Sequence, residues 1–404
     1  MTSSYQDKKI AIVVDAFYPT KTSAAIQIYD LSIALKKLGI KITVFVPNSE
    51  ISKNIHIDNI KNIEVVNMKT PKIKKISFLR RAINEIYMPF AMIRLYKLYY
   101  TKKNTFDGVI WYSPSIFISI FAGYLSRKSN CKTYLILRDI FPKWSVDMGI
   151  INKWGLPNLI FKLFENNQYK IAYKIGIQSE GDFDYFNGYK KHISKKVHVL
   201  NNWLSAPQTV DCDIRLSETK LQNRKIFIYS GNIGLAQNIP LFLKSVKELE
   251  YRTDIGFVII GDGSEYEYVK SYISNNRLSN IILFSSIPHE HLPSLYTQCH
   301  FGLILLDLNL KTHNIPGKLL SYLHAGLSIF ASVNKGNDLE KIFDEYRLGI
   351  YSSSNDKNVI ASEMIKLASH PYDKELNFKK NSALLDEKFS PDMTANKILK
   401  SLFS

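Results

Sequence analysis

The chain has 404 residues, 46% of them hydrophobic, and a formal net charge of +17, enough for two ordinary domains with large cores. Its three cysteines, Cys131, Cys212 and Cys299, are odd in number and scattered. That excludes a disulfide framework or a structural zinc site and suits a reducing cytosol. The opening MTSSYQDKKIAIVVDAF enters a strand at once, without a signal-peptide apolar region or cleavage site, so a cytoplasmic protein is expected.

In chain order, strand patterns fall at 10–17, 41–47, 106–113, 133–139, 174–180 and 196–202. Helical patterns lie between them, such as 24–38, which Gly39 closes. The uncharged run 108–125, GVIWYSPSIFISIFAGYL, is just long enough to span a membrane. Its Pro114 and serines favour a buried strand followed by a buried helix. After an irregular polar stretch at 205–223 the alternation restarts, with strands at 225–231, 256–262, 280–286, 300–307, 328–333 and 348–353. Two successive strand–helix series imply two doubly wound parallel sheets of the α/β class, with ligands at the carboxyl ends of the strands, in a cleft between domains. The expected domains are 1–205 and 206–388, with a last helix in 389–404 returning to the first.

Charge is uneven along this frame. Residues 1–200 hold 31 Lys+Arg against 14 Asp+Glu, so the whole excess lies there. A polyanion is the expected partner of that half: nucleic acid, an acidic membrane or a phosphorylated lipid. Residues 69–100 concentrate the effect, with eight basic side chains (Lys69, Lys72, Lys74, Lys75, Arg80, Arg81, Arg94 and Lys97) against Glu85 alone. Aromatic and aliphatic residues are interleaved with them. The pattern suits peripheral binding to an anionic membrane surface; the alternative is a solvated basic face on a helix pair.

The second half carries the ligand signals. In FIYSGNIGLAQNIP (227–240) a buried strand stops at Gly231, Asn232 and Gly234 and reopens as a helix beyond Gln237. Such a turn presents free backbone N–H groups at a positive helix end, which suits phosphate; a plain strand-to-helix turn is the alternative. Gly261 and Asp262 end the next strand, and the Ile287–Pro288 turn follows a third. Pro316 and Gly317 precede Lys318 at a helix start, where a lysine adds a cation to free N–H groups. Together these make a two-sided diphosphate clamp. GDGSEY is no dinucleotide fingerprint, because Tyr266 stands where a third glycine is needed, and there is no Walker A motif. The acidic pairs at Asp182/Asp184 and Asp211/Asp213 and the His289–His291 triplet lack convincing ligand spacing, so no metal and no other cofactor is expected. No aromatic-interleaved RNA motif or helix-turn-helix occurs, so nucleic acid is not an expected partner.

The order of motifs resembles glycosyltransferase family 4, and within it the bacterial surface-polysaccharide group that includes fucosamine transferases. The segments are DAFYPTKTSAAIQIYDLSIALKKLGIKITVFVP, RDIFPKWSVDMGII, VLNNW, YSGNIGLAQNIPLFL, FVIIGDGSE, IPHEHLPSLY and IPGKLLSYLHAG, spread over nearly the whole chain. The resemblance implies a GT-B fold and a retaining hexosyltransferase. By position it places Gly231, Asn232, Gly234 and Gln237 at the donor diphosphate with Lys318, Pro316 and Gly317 opposite, and Gly261, Asp262, Ile287 and Pro288 near the nucleotide. It places Thr22, Ser23 and Ala24 on the acceptor side, and Arg138 and Asp139 facing the reacting centre, the alternative for this pair being an ion-paired strand end. Many members carry two glutamates, eight positions apart, around the lysine helix; His313 and Ser321 stand there, so His313 is a candidate replacement for one carboxylate.

The expected reaction moves a sugar, for example an N-acetylated deoxyhexosamine such as N-acetylfucosamine, from a UDP-sugar. The expected acceptor is a polyprenyl-diphosphate-linked saccharide at the inner face of the cytoplasmic membrane, in O-antigen or capsule synthesis. Rival readings are a GT-B nucleotide-sugar epimerase and a non-catalytic binder of anionic surfaces.

Overall fold

A computed structural model describes residues 5–20, 22–73, 76–100, 105–113, 115–310 and 315–404, with the side chains of residues 78 and 79 also left aside. The chain divides into two compact units, Met1–Asn202 with Pro391–Ser404, and Trp203–Ser390.

Among the described residues the first unit builds an eight-stranded sheet. Its strands are β1 (Lys9–Val13), β2 (Lys41–Asn48), β3 (Ile55–Ile60), β4 (Ile63–Lys69), β5 (Gly108–Tyr112), β6 (Lys132–Ile136), β7 (Lys174–Ile177) and β8 (Val197–Val199). The order is β3-β4-β2-β1-β5-β6-β7-β8, and every neighbouring pair is parallel except β3 with β4. The β3–β4 hairpin has no counterpart among the strands read from sequence. Its two-residue turn, Lys61-Asn62, has positive φ at both residues (52° and 59°), the backbone of a type I′ hairpin made here without the usual glycine. The 108–125 run resolves as β5 and the largely buried helix Ser119–Ser129. No helix among the described residues is long and apolar enough to cross a membrane.

The second unit holds β9 (Lys225–Ser230), β10 (Ile255–Ile260), β11 (Ile281–Phe284), β12 (Phe301–Leu305), β13 (Ser328–Ser332) and β14 (Gly349–Ser352). All its pairings are parallel, in the order β11-β10-β9-β12-β13-β14. Helices cover both faces, so β10 and β12 are buried at every position and read in sequence as unbroken apolar runs. The chain order reverses between β9 and β12 here, and between β1 and β5 in the first unit. Ligands of doubly wound sheets gather beyond the carboxyl ends of strands at such reversals.

Most strands stop one to four residues before their apolar patterns end. The polar tails then stand free of the ladder, in turns at the carboxyl edge of each sheet. The C-terminal helix Pro391–Phe403 belongs to the first unit, where it packs along the helix Ser23–Lys37.

Candidate functional site

In the second unit, two turns are zipped together where β9 and β10 end. Gly231 N–H donates to the Ile260 carbonyl (2.9 Å), Ile233 N–H to the Asp262 carbonyl (2.9 Å), and Glu265 N–H to the Ile233 carbonyl (2.9 Å). Backbone meets backbone so closely that a Cβ on Gly261 would collide with the Gly231 carbonyl oxygen, and one on Gly263 with that of Ile233. Both glycines also hold positive φ, 155° and 156°. The third turn is tied in as well: Gly261 N–H donates to the Phe284 carbonyl (3.2 Å), and the Ser286 hydroxyl to Asp262 Oδ2. Ile287 packs on the core and Pro288 leads into a short 3₁₀ turn.

Gln237 turns its amide oxygen inward. It accepts from Gly234 N–H (3.1 Å) and from Asn232 Nδ2 (3.2 Å), fixing the loop's shape.

Lys318 lies above this turn. Pro316 and Gly317 carbonyls accept from Leu319 and Leu320 N–H groups and start the helix Lys318–His324. The lysine's Nζ stands 4.7 Å from the centre of the Tyr229 ring and 3.4 Å from its hydroxyl. A Cβ on Gly231 would be 3.6 Å from Lys318 Cε. No carboxylate pairs with the ammonium among the described residues, and desolvation brings its pKa down to about 8. A half-buried cation with no anion beside it among the described residues, next to a glycine turn, is arranged to receive one.

Three tyrosines hold this geometry, and their sequence context gave them only a core role. The Tyr229 hydroxyl donates to the Asn232 carbonyl (2.6 Å). Tyr322, on the lysine's own helix, accepts from Ser230 N–H (3.0 Å), and Tyr296 shares a 2.6 Å bond with the Ser230 hydroxyl. The lysine helix is thereby pinned to the end of β9.

The first unit has its own polar centre, at the ends of β5 to β8. Tyr112 Oη donates to Gln27 Oε1 (2.8 Å), Gln27 Nε2 to Asn202 Oδ1 (3.2 Å), and Asn202 Nδ2 to Gln178 Oε1 (3.3 Å). Gln178 Nε2 donates to the Arg138 carbonyl (2.6 Å), and Arg138 Nη1 to the Leu200 carbonyl (3.1 Å). Arg138 is buried, which lowers its pKa, while the charge of the half-buried Asp139 beside it acts in the opposite sense. Gln27 is carried by the helix Ser23–Lys37, whose first turn includes Ser23 and Ala24 and whose cap, Thr22 Oγ1, accepts from Ala25 N–H (3.3 Å). Gln27 and Asn202 lie inside motif segments, and Tyr112 and Gln178 inside strand patterns, yet none stands out in the sequence, because an isolated amide or phenol carries no spacing signal.

A cavity of about 590 Å³ opens in the same unit, beyond the ends of β1, β2 and β4. Asp15, Tyr18, Asn48, Asp58, Asn67 and Thr70 help line it. Asn67 joins two of them, donating to Asp58 Oδ2 (2.8 Å) and accepting from Asn48 Nδ2 (3.3 Å). Part of this wall is the β3–β4 hairpin. His313 lies outside the described residues, as do Lys74 and Lys75 of the basic stretch.

Residues 213–384 match the family model described as "Glycosyl transferases group 1". The protein is a glycosyltransferase. A curated relative, "Probable glycosyltransferase WbjE" of Pseudomonas aeruginosa, is 22% identical over 72% of this chain and 73% of its own length. Another, "Putative colanic acid biosynthesis glycosyl transferase WcaI" of Escherichia coli K12, is 22% identical over 59% of this chain and 60% of its own. Among solved structures, "Trehalose-6-phosphate from E. coli bound with UDP-2-fluoro glucose" superposes with a TM-score of 0.68 at 12% identity, covering 98% of this chain and 99% of that one. The fold of this glycosyltransferase is GT-B, with two parallel-sheet domains.

Proposed function

We propose that this enzyme is a retaining family 4 hexosyltransferase that takes a sugar from a UDP-sugar held by the second unit. The carrying observation is Lys318, an ammonium without a carboxylate partner among the described residues, over the Gly231 turn at the point where the sheet's strand order reverses. As the donor's glycosidic bond breaks, negative charge grows on the leaving diphosphate. Lys318 is placed to stabilise it without a metal. The N–H groups of Gly231, Ile233 and Gly234, which the sequence pattern offered as free donors, are already bonded within the fold and hold the turn's shape instead. The UDP-sugar bound by the E. coli structural neighbour supports the nucleotide class.

The acceptor is a polyprenyl-diphosphate-linked saccharide, and the product belongs to O-antigen or capsule synthesis. The WcaI name supports a polysaccharide pathway. An N-acetylated deoxyhexosamine such as N-acetylfucosamine is the donor sugar suggested by the motif resemblance. The amide- and carboxylate-lined cavity of the first unit suits a hydroxyl-rich saccharide, with Arg138 and Asp139 beyond the end of β6, two strands along the same sheet from β1. The basic stretch 69–100 holds the protein at the inner face of the cytoplasmic membrane.

Thermal-shift titration with UDP, GDP, CMP and a panel of their sugars tests the donor class, since a ligand of the native state raises the melting temperature by mass action. UDP and one UDP-sugar should stabilise the protein. Stabilisation by GDP-sugars alone would overturn the UDP assignment. Isomerisation of a UDP-sugar without any acceptor would turn the reading to an epimerase.

A further inference from the structure

Helix Leu156–Ile171 is inside out. It buries Asn158, Glu165 and Gln168 alongside Phe161 and Tyr169. On its outer side, Leu156, Leu159 and Leu163 are 69%, 55% and 69% exposed. Steps of three and four residues put these leucines on one face. Just upstream, Ile150 is 61% and Trp154 82% exposed. The buried Glu165 has Lys162 Nζ 2.6 Å from its Oε2, and the hydroxyls of Tyr169 and Tyr185 donate to its Oε1. A helix that faces only water has no physical reason to exchange a glutamate for leucines in this way. Single exposed apolar residues are ordinary on protein surfaces, but five large ones within fourteen residues make a patch.

A second helix packs beside this one. Phe161 and Phe164 share a small cluster with Ile86, Ile116 and Phe117. Ile86 belongs to the helix Phe78–Tyr99, whose Ile83, Tyr87 and Phe90 are exposed and also follow one face. The rim is basic. Lys153 Nζ sits 5.2 Å from the Trp154 ring, and Arg80, Arg94 and Lys97 have no carboxylate partner among the described residues. A second copy of this chain would bring one basic rim against another, which is repulsive. An anionic bilayer meets both demands: phosphates for the rim, and the acyl boundary for the leucines, with tryptophan at headgroup depth.

We propose that residues 150–163 are a shallow insertion element, with Trp154, Leu156, Leu159 and Leu163 entering the boundary of an anionic leaflet. The inference rests on the membrane reading above and assigns its apolar part to residues outside 69–100.

The test uses the full chain with phosphatidylcholine vesicles, with and without phosphatidylglycerol. Leu159→Ser with Leu163→Ser, both at exposed positions, should leave the melting temperature unchanged. They should weaken partitioning to the phosphatidylglycerol vesicles about tenfold or more. Brominated acyl chains should quench fluorescence in the native chain and quench a Trp154→Phe variant less. If the leucine pair binds like the native chain while Lys72→Gln, Arg80→Gln and Arg81→Gln together lose binding, insertion is overturned and the electrostatic membrane reading stands. If the native chain binds neither vesicle, both fall. If it sediments as a dimer that the leucine pair dissociates, the face belongs to a second copy and the proposal fails.

Discussion

A lysine ammonium 4.7 Å from a tyrosine ring, with its pKa brought down to about 8 by desolvation, is costly to keep charged and gains whatever anion reaches it. Lys318→Ala should therefore reduce sugar transfer on the order of 100-fold, the scale of losing one preorganised donor to a developing charge. An effect under about threefold in folded protein would take Lys318 out of the site. The same residue dictates a pH dependence. A bound diphosphate raises the lysine's pKa, so donor binding takes up a proton near pH 8. Donor affinity should be flat below about 8 and should fall up to tenfold per pH unit above it. The contribution to folding has the opposite sign. The folded-state pKa lies below the free value of 10.5, so this residue's destabilisation is greatest below about pH 8 and is relieved as pH rises toward 10.5. Titrating the donor dissociation constant from pH 6.5 to 9.5 separates the two, and a Lys318→Arg variant should abolish the step. The lysine itself was legible in the sequence from IPGK at a helix start; Tyr229 and Tyr322, which hold it, were not, because a tyrosine at a core position looks like packing.

At the scale of elements, the glycine turns were readable because glycine marks positions where a side chain cannot fit. What the sequence hides is the partner. GNIG and GDG are thirty residues apart, and only the β9–β10 pairing places the Gly261 Cα against the Gly231 carbonyl. Gly261→Ala must push the two turns apart and should cost more than the about 1–3 kcal/mol of a residue forced into a sparsely allowed backbone alone. Donor affinity should drop with it, since the moved turn lies under Lys318. Gly336→Ala is the matched control. It too has positive φ, 75°, but a Cβ there meets nothing within 4 Å, so it should cost only the backbone term and leave donor binding intact. Melting temperatures and UDP titrations of the pair distinguish collision from strain. The β3–β4 hairpin was missed for a related reason. A Lys-Asn turn carries none of the usual glycine signal, and β3 buries too little to show a clean alternation.

Over the whole molecule, two strand–helix series and the charge asymmetry could be read from the chain, because both are sums over many residues and tolerate local error. The order of strands within each sheet could not, since it depends on pairings between segments far apart in the chain. The C-terminal helix shows what such pairings do for stability. Pro391–Phe403 buries Ala395, Ile398, Leu399 and Leu402 within the first unit, and Leu402 reaches the strand carrying Gly108. Around them, Tyr5 and Phe403 rings lie 5.7 Å apart and Lys132 Nζ donates to the Ser404 carbonyl (2.7 Å). Burial of three Leu/Ile side chains contributes about 5 kcal/mol. A single domain is typically stable by only about 5–15 kcal/mol. Deleting residues 391–404 should therefore take most of the first unit's stability. The second unit keeps all its strands and the Lys318 turn in this deletion, so UDP should still raise the melting temperature of that part. Calorimetry with and without UDP, alongside limited proteolysis, reads both units at once. Loss of UDP stabilisation together with the first unit would show that the nucleotide site needs more than residues 203–390.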